Sequence, residues 1–275
     1  MKSDNEETGI RATQDLNLRV SVGTLVRVLF ASPEDGRTML ALEHIATLRK
    51  TIEKPEVIVR VKPFGGSVQI TNVRKLKERI GDFHYDSEKS RKEKDFRLMV
   101  YPESWKEIKE ICREHFKEKG IVILDRSPVR ELAEEFEDSL KIKITPQQYT
   151  LKLLNMIIQD APVKTDNIRA QGFPTVRVYY IFEATIISQE IITLMLKNSK
   201  HDTPEVLRKI VNEEADHGRR GRANSILTLD LKEITDKYKS VSFEMRNEAV
   251  KFGKYRFDGN IVAVLPDINA PYYKS

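Results

Sequence analysis

Three carboxylates in one short segment raise the first chemical question. Glu131, Glu134 and Glu135 lie in the stretch Ser127-Pro128-Val129-Arg130-Glu131-Leu132-Ala133-Glu134-Glu135-Phe136. Ser127 suits a helix N-cap, and Pro128 suits the first helical position, where its missing N–H costs nothing. On that helix the three acids share one face, because residues three and four apart are neighbours. Val129, Leu132, Ala133, Phe136 and Leu140 form an apolar stripe on the other face. Glu131 and Glu135 are like charges one turn apart, which costs an isolated helix roughly 0.2–0.5 kcal/mol; Arg130, facing Glu134, offsets part of that. A rigid apolar back with a carboxylate front suits a hard divalent cation such as Mg²⁺ or Mn²⁺. From charge alone, a solvated acidic face is the plainer explanation.

The order Arg-Glu-aliphatic-x-Glu-Glu over Arg130–Glu135 resembles the core of the box that marks the Nudix hydrolase superfamily. The family's late Gly and aliphatic residue are replaced here by Glu137 and Asp138, and its upstream Glu is not in register. Further upstream, Pro63-Phe64-Gly65-Gly66 follows an expected strand at Glu56–Val61. Read from its residues, that segment is a tight turn. By the resemblance, Gly65 and Gly66 open the box and let backbone approach substrate phosphates. Gly66 and Arg130 are much further apart than the family pattern allows, so the resemblance implies an insertion at about residues 67–119.

The resemblance implies an α/β (α+β) fold, a Nudix-like α/β/α sandwich with a mixed sheet and an inserted subdomain. It also implies Mg²⁺-dependent hydrolysis of a pyrophosphate bond in a nucleoside diphosphate derivative. Glu131, Glu134 and Glu135 would hold the metal, and Arg130 would orient them. The catalytic set would be Glu134 and Glu135 with Glu183 as a downstream base; Glu213 and Glu214 are alternatives for that base. Gly65 and Gly66 would meet the substrate. The basic loop His217-Gly218-Arg219-Arg220-Gly221-Arg222 offers Arg219, Arg220 and Arg222 for phosphates, and His217 as an acid or base. A solvated surface loop accounts for it as well. Two other functions stay open. One is a Nudix-fold module that binds a nucleotide without cleaving it, suggested by the altered box. The other is a basic nucleic-acid-interacting protein, suggested by the Arg-rich loop and a pI of 9.0.

Elements must position these groups. The alternating or β-branched segments Leu18–Ala31, Thr38–Ala46, Phe96–Tyr101, Ile121–Leu124, Lys141–Ile144, Thr175–Ile187 and Ser225–Leu231 read as strands, with Gly23 as a bulge. Tyr149–Ile158 reads as strand or short helix, and Asn260–Leu265 as a last strand or apolar tail. Helices are expected over Val73–Ile80, Pro102–Lys119 ending at Gly120, Ser188–Asn198, Thr203–Asp216, Lys232–Tyr238 and Ser242–Phe252. Gly81–Asp95 reads as an exposed loop. In the segment Thr175–Ile187, alternation puts Val176, Val178, Tyr180, Phe182 and Ala184 on one face. Tyr179, Tyr180 and Phe182 suit core packing better than base stacking.

Composition sets outer bounds. The 275 residues carry a net charge of +5, are 40% hydrophobic and 32% charged, and include a single cysteine. That excludes an internal disulfide framework and a cysteine-based zinc site. Cys112 reads as a buried helix position. No run approaches the length of a membrane span, and residues 1–17 read as a polar tail without an apolar signal core, so a cytoplasmic protein with no membrane partner is expected. Residues 18–275 read as one elaborated domain.

Overall fold

The computed structural model describes residues 16–49, 55–118, 123–164, 172–217, 221–238 and 250–266. The chain opens with strands β1 (Leu18–Ala31), β2 (Thr38–Arg49), β3 (Glu56–Lys62), β4 (Phe64–Ser67) and β5 (Gln69–Ile70). Helix α1 (Val73–Ile80), β6 (His84–Tyr85), α2 (Glu88–Glu93), β7 (Arg97–Val100), α3 (Ser104–Phe116) and β8 (Leu124–Asp125) follow. Then come α4 (Val129–Leu140), β9 (Tyr149–Lys164), β10 (Pro174–Ile186), α5 (Gln189–His201) and α6 (Pro204–Asp216). The chain continues with β11 (Arg222–Asp230), α7 (Leu231–Tyr238), β12 (Val250–Phe252) and β13 (Tyr255–Phe257). The fold is mixed α/β around one mixed sheet.

The first strand is the spine. One edge of β1 pairs in parallel with β10 from Arg19 to Leu29. Its other edge is shared by three antiparallel partners: β7 against Leu18–Ser21, β4 against Gly23–Val26 and β2 against Val28–Ala31. The second strand divides in the same way. It pairs with β1 through Thr38–Ala41, then with β3 through Glu43–Arg49, while β11 covers its far edge. The sheet therefore splits where β1 and β2 part. The chain crosses the split at Pro63, leaving β2 as β3 and joining β1 as β4.

Alternation sends side chains to two cores. Val20, Val22, Val176, Val178, Tyr180 and Ala184 pack under α1, α3, α4 and α5, with Leu76, Ile108, Leu132, Phe136 and Met195 among the helix residues that meet them. On the reverse face, Leu40, Leu42, Ile181 and Leu227 pack with Ile234 and Tyr238 of α7 and with the buried 3-10 segment Gly259–Val264. Next to these, Leu207 and Val211 of α6 cover Ala46 and Val59. Two polar anchors fix α3: the buried Tyr180 hydroxyl donates to the Cys112 carbonyl at 2.9 Å, and Trp105 Nε1–H donates to Asp160 at 2.9 Å.

Most expected elements form, and the departures have local causes. The Pro63–Gly66 turn is instead the start of β4, held by pairing to β1. Gly23 is no bulge, since pairing runs through it without a register shift; the position needs glycine because a Cβ would lie 3.0 Å from the Gly66 carbonyl oxygen. Lys141–Ile144 forms no strand, because Lys141 turns left-handed (φ 59°) to close α4. Helix α4 begins at Val129 rather than Pro128, the Ser127 hydroxyl accepts from Val129 N–H at 3.4 Å, and Val129 itself is exposed.

Tyr149–Ile158 is strand, part of the long β9. The expected loop at Gly81–Asp95 carries β6 and α2 and buries Phe83, Ser90 and Asp95. Val250–Phe252 is strand rather than helix, and where a last strand or apolar tail was expected over Asn260–Leu265 the chain forms the buried 3-10 segment Gly259–Val264. Leu16, assigned to the tail, is buried in the core. Gly120, residues 242–249 and residues 1–15 lie outside the described residues. The segment 67–119 builds no separate lobe: β7 pairs with β1, and Leu76, Phe96, Leu98 and Ile108 share the main core.

Candidate functional site

The acidic helix lies across the split in the sheet. Its stripe anchors it, with Leu132 and Phe136 fully buried and Phe136 stacked on Phe64 of β4 at 5.4 Å. That packing turns Glu131 and Glu135 onto the Gly65–Gly66 backbone. Gly65 N–H donates to Glu135 Oε2 at 3.1 Å. A Cβ on Gly66 would lie 2.0 Å from Glu131 Oε2. Gly65 has φ 144°, and a Cβ there would fall 2.1 Å from the Thr24 carbonyl oxygen. Gly65 is therefore required by its φ and its approach to a neighbouring strand, while the bare Gly66 leaves the space that the Glu131 carboxylate occupies.

Two further groups join from β2 and β3. Glu43, 1% exposed, takes a hydrogen bond from Lys62 Nζ at 2.7 Å. The same ammonium reaches Glu135 Oε1 at 3.4 Å. Burial, a hydrogen bond with Glu43 and the Glu43 charge together push the Glu135 carboxyl well above its usual range. Burial pulls the Lys62 ammonium down, but Glu135 and Glu43 outweigh it and raise its pKa. Burial also raises the Glu131 carboxyl, against Arg130 and with help from Glu134 and Asp95. Asp95 itself is buried and raised by that burial, with Arg97 opposing at 3.5 Å.

Arg130 bonds two of the three acids and leaves Glu135 to Lys62 and Gly65. One nitrogen donates to Glu131 Oε1 and the other to Glu134 Oε1 at 3.3 Å. Glu134 remains open, with its side chain 59% exposed. The cluster contains Glu43, Glu131, Glu134, Glu135 and Asp95 against Lys62, Arg130 and Arg97, so two negative charges are in excess when all are ionised. Among the described residues no three metal-ligating side chains already converge on a common point. The guanidinium and the ammonium hold the oxygens that a metal would use. The donor chemistry nonetheless fits a hard divalent cation: oxygen ligands only, partly buried, with unbalanced negative charge.

A cavity of about 160 Å³ opens beside the glycines, lined by Gly23, Lys62, Gly65, Gly66, Arg97 and Tyr179 among others. It offers backbone and two cations; no acid lines it, and its Tyr179 ring belongs to the sheet face away from α4, reached where the sheet splits.

Other expected groups are elsewhere. Glu183 lies on the opposite sheet face from α4, because its neighbours Phe182 and Ala184 pack under the helices; it pairs with Arg27 at 3.3 Å. Arg222 sits beyond the far end of α4, 3.8 Å from Asp138 and 2.9 Å from Asn224 Oδ1. Arg219 and Arg220 lie outside the described residues. Glu213 pairs with Lys209 on the exposed face of α6, and His217 Nδ1–H donates to the Glu213 carbonyl at 2.6 Å. Tyr180 and Phe182 are core residues. The Cys112 thiol is pushed up to about 12 by burial and is inert as a nucleophile.

Sequence reasoning missed Glu43, Lys62 and Asp95. A signal for Glu43 was present: a charged residue inside the apolar run Leu40-Ala41-Leu42-Glu43-His44-Ile45-Ala46 violates the pattern of a strand buried on both faces. Asp95 had none beyond its place in a charged segment.

Compared with models of known protein families, with curated proteins and with solved structures, the chain matches none. No helix among the described residues is long and apolar enough to cross a membrane.

Proposed function

We propose that this protein hydrolyses the pyrophosphate bond of a nucleoside diphosphate derivative with Mg²⁺, by chemistry of the Nudix type. The observation that carries this reading is the fit between the Gly65–Gly66 backbone and the Glu131 and Glu135 carboxylates, where a Cβ would fill the gap. Glu131, Glu134 and Glu135 would hold the cation. When bound, Mg²⁺ neutralises diphosphate oxygens and lowers the pKa of an attacking water. Arg130 keeps Glu131 and Glu134 turned toward each other. Lys62 balances the buried Glu43 and Glu135. Arg97 and the glycine backbone suit phosphate oxygens. Glu43 replaces Glu183 as the additional carboxylate of choice, because it sits on the correct face beside Glu135.

A second reading has one specific observation behind it. Glu135 is already held by Lys62 and Gly65, an arrangement that also suits a module that binds a nucleotide and leaves it intact. Phosphate release from a panel of dinucleotides and nucleotide sugars, with and without Mg²⁺, separates the two. Hydrolysis that requires Mg²⁺ and falls tenfold or more in Glu131→Gln supports the enzyme. Saturable nucleotide binding without turnover supports the module.

A further inference from the structure

A second recess lies on the reverse of the same strands. It has a volume of about 370 Å³ and sits between β3, the β12–β13 hairpin and the start of α6. His44 and Val61 line it, while their neighbours Glu43 and Lys62 face the acidic cluster on the other side. The recess shares no lining residue with the cavity beside the glycines.

Its walls are cationic. Arg60, Arg208, Lys254 and Arg256 all line it, and among the described residues none of the four is in an ion pair. Glu56 is the one acid in the lining. Two more acids lie near His44, but each has a partner: Asp202 accepts from the Ser225 hydroxyl at 2.6 Å and Glu205 from the Thr203 hydroxyl at 2.8 Å. A hydroxyl donor leaves those carboxylates charged, and Glu205 acts on Lys254 and Arg208; the four cations still outnumber Glu56, Asp202 and Glu205, and a net positive concave wall favours an anionic occupant.

His44 gives the recess a polar floor. The residue is 1% exposed, and its Nε2 has no hydrogen-bond partner among the described residues. The ring bonds the Asp202 backbone, which takes the Nδ1 proton and leaves Nε2 as a bare acceptor. The Tyr255 ring packs edge-on against the imidazole at 5.5 Å and fixes its plane. Burial lowers the His44 pKa to about 4, so the ring is neutral at physiological pH. A buried unsatisfied acceptor is costly. An anion with no hydrogen to give leaves it unsatisfied; a hydroxyl donates to it.

We propose that this recess binds a phosphorylated sugar, the phosphate drawn by Arg60, Arg208, Lys254 and Arg256 and a sugar hydroxyl donating to His44 Nε2. The volume lies within the range of small-molecule pockets. The assignment is independent of hydrolysis at the acidic helix.

The test is calorimetric titration of the full-length protein at low ionic strength with ribose 5-phosphate, inorganic phosphate and ribose. The expected result is saturable binding of ribose 5-phosphate, binding of phosphate weaker by roughly tenfold or more, and no heat from ribose. His44→Phe keeps the ring and its packing against Tyr255 and removes the acceptor; ribose 5-phosphate should weaken to the level of phosphate. Arg208→Ser, at an exposed position, should weaken both anions and is the variant to rely on if His44→Phe does not fold. Glu131→Gln should leave binding intact. Absence of saturable binding, phosphate binding as tightly as the sugar phosphate, or loss of binding in Glu131→Gln each overturns the assignment.

Discussion

Gly66 lies flat against the Glu131 carboxylate, so closely that a Cβ on Gly66 would sit 2.0 Å from Glu131 Oε2 and 2.2 Å from its carboxyl carbon. A carboxylate on a helix and a bare backbone on a strand thus define each other's position. Gly66→Ala must push the Glu131 carboxylate away, and because the atoms it meets are the free end of a flexible side chain, the carboxylate can swing aside at little cost to the fold. Mg²⁺ titration should show a loss of metal affinity, while denaturant unfolding changes little. Unchanged Mg²⁺ affinity in a folded Gly66→Ala protein would falsify the role given to Glu131.

Lys62 bridges two buried carboxylates. Lys62→Met leaves Glu43 and Glu135 facing each other without a cation, and breaking such a pair costs about 3 kcal/mol or more. Millimolar Mg²⁺ should return part of that stability, since a divalent cation replaces the missing charge. Unfolding midpoints with and without Mg²⁺ measure it. An equal loss in both conditions argues against a cation at Glu135.

Glu134 and Glu183 predict opposite outcomes. Glu134 is exposed and bonded only through Arg130 among the interactions of the described residues, so Glu134→Gln should leave stability within about 0.5 kcal/mol. Turnover should still fall, as a metal ligand is lost. Glu183→Gln, on the other sheet face, should leave the Mg²⁺ dependence of turnover unchanged. Kinetics on both variants check the assignment of faces, and the reverse pattern removes Glu134 from the metal set.

His44 makes stability depend on pH. Its pKa falls from 6.5 to about 4 on folding, chiefly through burial. Between those values the unfolded chain binds a proton that the folded chain refuses, so stability drops as pH falls through that window. The full effect is roughly 3 kcal/mol. In His44→Phe that part of the slope should vanish. Denaturant unfolding at a series of pH values from neutral to about 4 is the measurement.

Local pattern carried much of this protein. The alternation of Val176 to Ala184, the stripe Leu132–Phe136–Leu140 and the β-branched run of β1 each state which face is buried, because burial of a periodic apolar face is a local property of the chain. The spacing of Glu131, Glu134 and Glu135 likewise placed them on one helix. What surrounds those acids was not local. Glu43, Lys62 and Asp95 come to the cluster from three separate segments, brought there because β1 and β2 part and the chain crosses between them at Pro63. Gly65 and Gly66 looked like a turn because glycine pairs favour turns; pairing with β1 made them a strand, the approach of Thr24 made a bare Gly65 necessary, and Glu131 of α4 took the space beside Gly66. Whether Glu183 faced the helix depended on strand parity within the assembled sheet. Periodicity decides which residues share a face, and only long-range pairing decides what that face meets.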